Sequence, residues 1–253
     1  MSKIHLKRLK LVNQIFNEDC IKGMRNIPDE KIDLIVTDPP FAIDFNGKQS
    51  NYNRKPELVL DGYKEITRDN YLDFSIDWIT QAKRVLKDSG SMYVFSGWNN
   101  LKDILIALDE VGFITVGHPI WKYQFGVYST KRFVSSHYHC IYVCKNEKKR
   151  RFYSDSRFSN STDRYRDLED VWNIKREYWT GKVKPPTKLP TELITKILQY
   201  SSLPKDLILD CFLGSGQVAV VSKQMRRKYI GYEIVKKYYN FALNRLNKMN
   251  AIK

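Results

Sequence analysis

Along this chain, short apolar runs alternate with longer amphipathic stretches. Residues 11–16 (LVNQIF) and 31–37 (KIDLIVT) are compact and apolar, which predicts two buried strands. Over residues 71–87, Leu72, Ile76, Ile79, Ala82, Val85 and Leu86 share one broad face at helical spacing, and Gly90 should stop that helix. A strand over SMYVF, a helix over 100–110, and strands over 113–122 and 137–144 follow. Pro190 then opens a helix, PTELITKILQY, and DLILDCFLGSG forms a strand and a glycine turn. A helix over 217–226, a strand YIGYE and an amphipathic last helix complete the pattern. Strands alternating with helices predict an α/β fold with a mainly parallel sheet.

Two stretches break the alternation. Residues 46–70 are polar and rich in Asn, Lys and Asp, which predicts a long loop. Residues 145–187 are basic, aromatic and weakly periodic, as expected of an inserted segment. The chain therefore divides into residues 1–144, an insert at 145–187, and residues 188–253. The first and last parts should be halves of one domain.

Composition narrows the class. With 253 residues, 42% of them hydrophobic and 13% aromatic, the chain can bury a full α/β core. No window approaches eighteen uninterrupted apolar residues, and the basic start lacks an apolar core and cleavage site, so a cytoplasmic protein with no membrane partner is expected. Cys20, Cys140, Cys144 and Cys211 are scattered, which favours free thiols. A net charge of +15 favours a polyanionic partner.

Two strand ends carry candidate chemistry. One is Thr37-Asp38-Pro39-Pro40-Phe41, an acid followed by a rigid step and an aromatic ring. The other is Asp210-Cys211-Phe212-Leu213-Gly214-Ser215-Gly216, where glycines let a ligand approach the backbone. Glu233 ends the next strand, about 20 residues beyond the turn, where an acid grips ribose hydroxyls. Residue 219 is Ala, which suits an adenosyl ligand with no pyrophosphate, although a dinucleotide turn has similar features.

Together, Asp-Pro-Pro-Phe and the later Phe-x-Gly-x-Gly resemble the amino methyltransferases of DNA, in the permuted motif order of that family's β group. The resemblance runs from Asp19 to Glu233 and includes NEDC, SMYVF, the HYHCIYVCK run and DVWNI. It implies a Rossmann-like fold, S-adenosylmethionine as cofactor, double-stranded DNA as substrate, and methyl transfer to N6 of adenine or N4 of cytosine. Phe212, Gly214 and Gly216, with Ser215 and Asp210 of the same turn, would line the methionine end. Glu233 would bind the ribose, and Asp19 would lie near the adenine ring. Asp38 and Phe41 would touch both cofactor and target base. Asp38 at the first motif position leans to adenine. A homodimer and a cognate restriction endonuclease acting on the same site are further candidate partners. The rivals are the N4-cytosine enzyme and a catalytically silent DNA-binding subunit.

The motif has a chemical rationale. An aromatic amine is a poor nucleophile because its lone pair is delocalised. Asp38 and the Pro39 carbonyl can each accept one N–H and favour a pyramidal nitrogen. Pro39 and Pro40 fix φ and hold that carbonyl, and Phe41 offers a face to a flipped base. Departures from the family are Cys211 for Pro, Gln217 for Thr, Phe41 for Tyr, and a lysine, Lys188, displaced by one position. No Pro-Cys pair exists, so cytosine C5 chemistry is not expected. No metal is expected either: on a strand His137 and His139 face one way and Cys140 and Cys144 the other. The basic run 145–151 is a candidate for DNA backbone contact, and the insert for base reading.

Overall fold

A computed structural model describes residues 11–40, 66–124, 126, 128, 130, 131, 133–179 and 188–251. Phe41 and most of the polar stretch 46–70 lie outside the described residues. The strands are β1 (Gln14–Phe16), β2 (Ile32–Thr37), β3 (Leu86–Ser96), β4 (Ile114–Gly117), β5 (Ile120–Lys122), β6 (His137–Cys144), β7 (Val171–Asn173), β8 (Leu207–Asp210) and β9 (Lys228–Tyr232). The helices are α1 (Cys20–Met24), α2 (Arg68–Val85), α3 (Trp98–Glu110), α4 (Ser161–Leu168), α5 (Thr191–Ser201), α6 (Gln217–Gln224) and α7 (Lys236–Ala251).

All nine strands join one sheet in the order β1-β9-β8-β2-β3-β6-β5-β7, with β4 also paired to β6. The five strands from β1 to β3 run parallel, and β6 is antiparallel to β3, β4 and β5. Alternation along the central strands sends side chains to the two faces of the sheet, and a third cluster, with Ile15, Val220 and Ala242, lies under α7. Ile35, Met92, Val94, Ile141 and Leu209 face α2 and α3. Leu34, Val36, Tyr93, Phe95, Cys140 and Ile208 face α5 and α6. The sheet is thus covered on both sides, as near-continuous apolar strands require.

From β2 the chain crosses through α2 to β3; from β8 it crosses through α6 to β9 on the other side. Strand order therefore reverses at the seam between β2 and β8, the place where doubly wound sheets leave a crevice at their carboxyl ends. The two chemistry-bearing strand ends lie side by side there.

Three expectations are corrected. Helix α2 ends at Val85, because Glu30 and Lys31 donate their amides to the carbonyls of Arg84 and Val85 and draw the chain into the sheet at once. Gly90 lies inside β3: a Cβ there would sit 2.8 Å from the Asp33 carbonyl oxygen, so glycine permits a close strand approach. The strand expected over 113–122 is split: β4 ends at Gly117 and β5 opens at Ile120, and the register against β6 shifts within β4, between Thr115 and Gly117. The insert adds β7 parallel to β5, with Trp172 buried in the core and the Trp121 indole donating to the Ile174 carbonyl at 2.8 Å. All four cysteines are free and buried. No helix among the described residues is long and apolar enough to cross a membrane.

Candidate active site

At the seam, the Thr37 hydroxyl donates to Asp210 Oδ1 at 3.0 Å, and the Phe212 amide donates to the same oxygen at 3.1 Å. Asp38 follows Thr37 directly. Its Oδ1 is buried with no hydrogen-bond partner, and burial pushes its carboxyl up to about 7. Burial also pushes Asp210 up to about 7, against the two hydrogen bonds that lower it, with Asp38 and Glu233 adding repulsion. Pro39 is buried and Pro40 half-buried beside it.

The glycine turn caps the adjoining strand. Gly214 has φ +51° and Gly216 φ +78°, both in the left-handed region. The Leu213 amide donates to the Tyr232 carbonyl at 2.8 Å, which pins the turn to β9. A Cβ at Gly214 would meet nothing closer than 3.9 Å, so the turn presents bare backbone to open space. A Cβ at Gly216 would sit 2.7 Å from the Ala242 Cβ, so this glycine lets α7 pack closely. Phe212 is partly buried, edge-on to Trp78 at 5.3 Å and tilted against Phe74.

Glu233, at the end of β9, accepts the Gly214 amide at 2.8 Å and the Val235 amide at 2.7 Å. Burial raises its carboxyl while these amides oppose the rise. Asn17 on the neighbouring strand's extension donates to the Glu233 carbonyl at 2.8 Å. Asp19 caps α1, with Oδ1 accepting the Lys22 amide at 3.0 Å. All the described site candidates therefore meet at one edge of the sheet. Sequence reasoning gave Thr37, the first residue of the quoted stretch, no role, and missed Arg245 on α7. Arg245 donates to the Ser215 carbonyl at 2.7 Å and to Gln217 Oε1 at 2.5 Å. No local pattern marks Arg245.

Other candidates lie elsewhere. The run 145–151 follows β6 to the opposite edge of the sheet. There Arg151 pairs with Asp33 and Asp206, Lys145 with Glu30 and Asp88, and Lys149 with Asp88. These three side chains fasten the insert to the sheet, Arg150 stacks on Tyr142 and Phe152, and Lys148 is exposed. His139 Nδ1 lies 3.0 Å from His118 Nε2, and Cys140 is buried. Among the described residues no cluster of His, Cys, Asp or Glu is arranged to hold a metal.

Residues 32–244 match the family model described as DNA methylase. This chain belongs to that family, the N6-adenine and N4-cytosine amino methyltransferases of DNA. Type II methyltransferase M2.LlaDCHI of Lactococcus lactis subsp. cremoris is 31% identical over 242 residues, 92% of this chain and 89% of that protein. Among solved structures, the cytosine-N4-specific PvuII DNA methyltransferase shares the fold with a TM-score of 0.71 at 19% identity, covering 94% of this chain and 90% of its own. The M1.HpyAVI complex with its SAM cofactor has a TM-score of 0.67 at 23% identity, covering 92% and 98%. The methyltransferase is S-adenosylmethionine-dependent and Rossmann-like, as its motifs implied.

The residues present fit that cofactor. Three carboxyls at one edge, all raised by desolvation, favour a cation beside them, and the methyl donor carries a sulfonium. The exposed backbone at Gly214 admits a ligand, and the Glu233 carboxylate is an acceptor suited to hydroxyls. The sulfonium supplies an already activated methyl group.

Proposed function

We propose that this methyltransferase acts on the N6 amine of adenine in duplex DNA, within a restriction–modification system. The observation that carries the reading is the buried, unpartnered Asp38 Oδ1 at the seam beside the glycine turn. An orphaned acceptor in such a place calls for a donor from a substrate. Asp38 would accept one N–H of the amine and the Pro39 carbonyl the other, with Phe41 facing the flipped base. The nitrogen–methyl bond forms as the sulfur–methyl bond breaks, and Asp38 is placed to take the proton the nitrogen sheds. Orientation and water exclusion carry most of the rate.

Glu233 would hold the ribose hydroxyls, Asp19 the adenine ring, and Phe212, Gly214, Ser215 and Gly216 the methionine end. The insert 145–187 would hold the base-reading residues, with its basic run 145–151 a candidate for contact with the DNA backbone. A homodimer and a cognate endonuclease belong to the same proposal. N4 of cytosine is the second reading, favoured by the shared fold with the PvuII enzyme.

Nucleoside mass spectrometry on unmodified plasmid DNA, after incubation with protein and S-adenosylmethionine, tests this. N6-methyladenine is the expected product. N4-methylcytosine would transfer the assignment to the second reading, and neither base modified would refute both.

A further inference from the structure

Four polar side chains outside the reacting centre form a continuous line toward the glycine turn. Glu177 lies near the end of the insert's described part. Its Oε2 accepts the Thr191 amide and the Thr191 hydroxyl, both at 2.7 Å, and it pairs with Lys188. The Thr191 Oγ1 in turn accepts from Gln217 Nε2 at 2.9 Å. Gln217 Oε1 accepts from Arg245, whose other nitrogen holds the Ser215 carbonyl. Every donor direction agrees, from the cationic guanidinium through amide and hydroxyl to the carboxylate. Such chains polarise one another in a low-dielectric setting, and Gln217 is almost fully buried.

Both ends are anchored. Upstream of Glu177, the Ile174 amide donates to the Lys122 carbonyl at 3.2 Å and the Arg176 amide to Gln124 Oε1 at 3.0 Å. The Arg176 guanidinium lies 3.7 Å from the centre of the Tyr123 ring. Downstream, Trp179 packs edge-on to Phe241 and is flanked by Lys188 and Arg245. Hydrogen bonds thus run without interruption from the segment 174–179 through Thr191 and Gln217 to the turn.

Resting on the proposed function, we propose that this relay couples the two binding sites: DNA held by the insert tightens the cofactor turn, and the cofactor tightens DNA binding by the same factor. Thr191 and Gln217 are positioning residues, acting through Glu177 and Ser215. The departure at Gln217 gains a purpose, since a threonine there is too short to span Thr191 and Arg245.

Calorimetric titration of the full-length protein with S-adenosylhomocysteine, alone and with saturating unmethylated plasmid DNA, reads the coupling without turnover. The wild type should bind about 5- to 50-fold more tightly with DNA present. Thr191→Val should bring that ratio to about 1 while changing the affinity without DNA by less than about threefold, and Thr191→Ser should restore it. Should Thr191→Val fail to fold, Glu177→Gln removes the anionic end in the same assay and should also lower the ratio. A wild-type ratio near 1, or a variant that keeps the full ratio, overturns the relay. Failure of the wild type to bind either ligand overturns the proposed function, and the relay with it.

Discussion

The Thr37 hydroxyl lies 3.0 Å from Asp210 Oδ1, joining two strands that are 173 residues apart in sequence. Both residues are buried. Thr37→Val keeps the shape but removes one of the two donors that Asp210 Oδ1 has. The variant should lose about 1–3 kcal/mol of stability, read by urea denaturation, and methyl transfer should fall with it. An unchanged midpoint would show that the bond contributes nothing at the seam.

In the proposed reaction, Asp38 should set a pH limb. Its carboxyl titrates near 7, and ionisation makes it the better acceptor for an amine proton. The value of kcat/KM should rise with pH through about 7. Asp38→Asn keeps a carbonyl acceptor but cannot titrate, so the limb should flatten. Asp38→Ala should cost about 10²–10³ in kcat, the scale of losing one positioned hydrogen-bonding group. Near-normal turnover in the alanine variant would remove Asp38 from the reaction.

The same carboxyl links pH to stability. A folded-state value raised above the unfolded one contributes stability that is fully present below the ordinary carboxylate range. That contribution is lost as pH rises through about 7. The free protein should therefore melt lower at pH 8 than at pH 6, and by a smaller difference in Asp38→Asn. S-Adenosylmethionine should release protons on binding near pH 7 and narrow that difference, because its sulfonium favours the ionised carboxyls. Calorimetry in buffers of different ionisation enthalpy counts the protons; S-adenosylhomocysteine, which has no sulfonium, should release fewer.

Gly216→Ala should be costly. The residue has φ +78°, and the new Cβ would meet the Ala242 Cβ at 2.7 Å. Backbone strain and overpacking together should cost about 2–3 kcal/mol. A melting temperature within a degree of wild type would mean that α7 moves aside freely.

Arg151→Ala separates stability from substrate binding. Arg151 holds the nearly buried Asp33 at 2.8 Å and Asp206 at 3.3 Å on the edge away from the site. Stability should fall by about 1–3 kcal/mol. DNA affinity should stay within about twofold and keep its steep salt dependence. A large loss of DNA affinity would place Arg151 itself on the DNA surface.

The motif strands were legible in sequence because their signals are local: an apolar run, then an acid, then Pro-Pro or glycines. The order of the motifs carried the family, and a mainly parallel sheet followed from strand–helix alternation. What stayed hidden depends on partners far along the chain. β7 is three residues long, too short for any period, and is a strand only because β5 pairs with it. Gly90 carries the composition of a helix stop, yet serves a strand crossing at Asp33. The basic run 145–151 has the same charge whether it meets phosphates or the acids of its own sheet. Glu177, Thr191, Gln217 and Arg245 come from four separate parts of the chain, and no spacing rule joins them.

The β2–β8 seam also sets the order in which the enzyme comes into being. β2 and its Asp-Pro-Pro step are synthesised early, but the neighbour that completes that side arrives only with Leu207–Asp210. During synthesis the first half can gather β2, β3 and β6 while one flank of β2 stays unpaired, a state prone to wrong partners. A chain interrupted in the insert has one motif and no turn. The two motifs come together only once Leu207–Asp210 has paired with β2, so the site is assembled by a contact that spans most of the sequence between them.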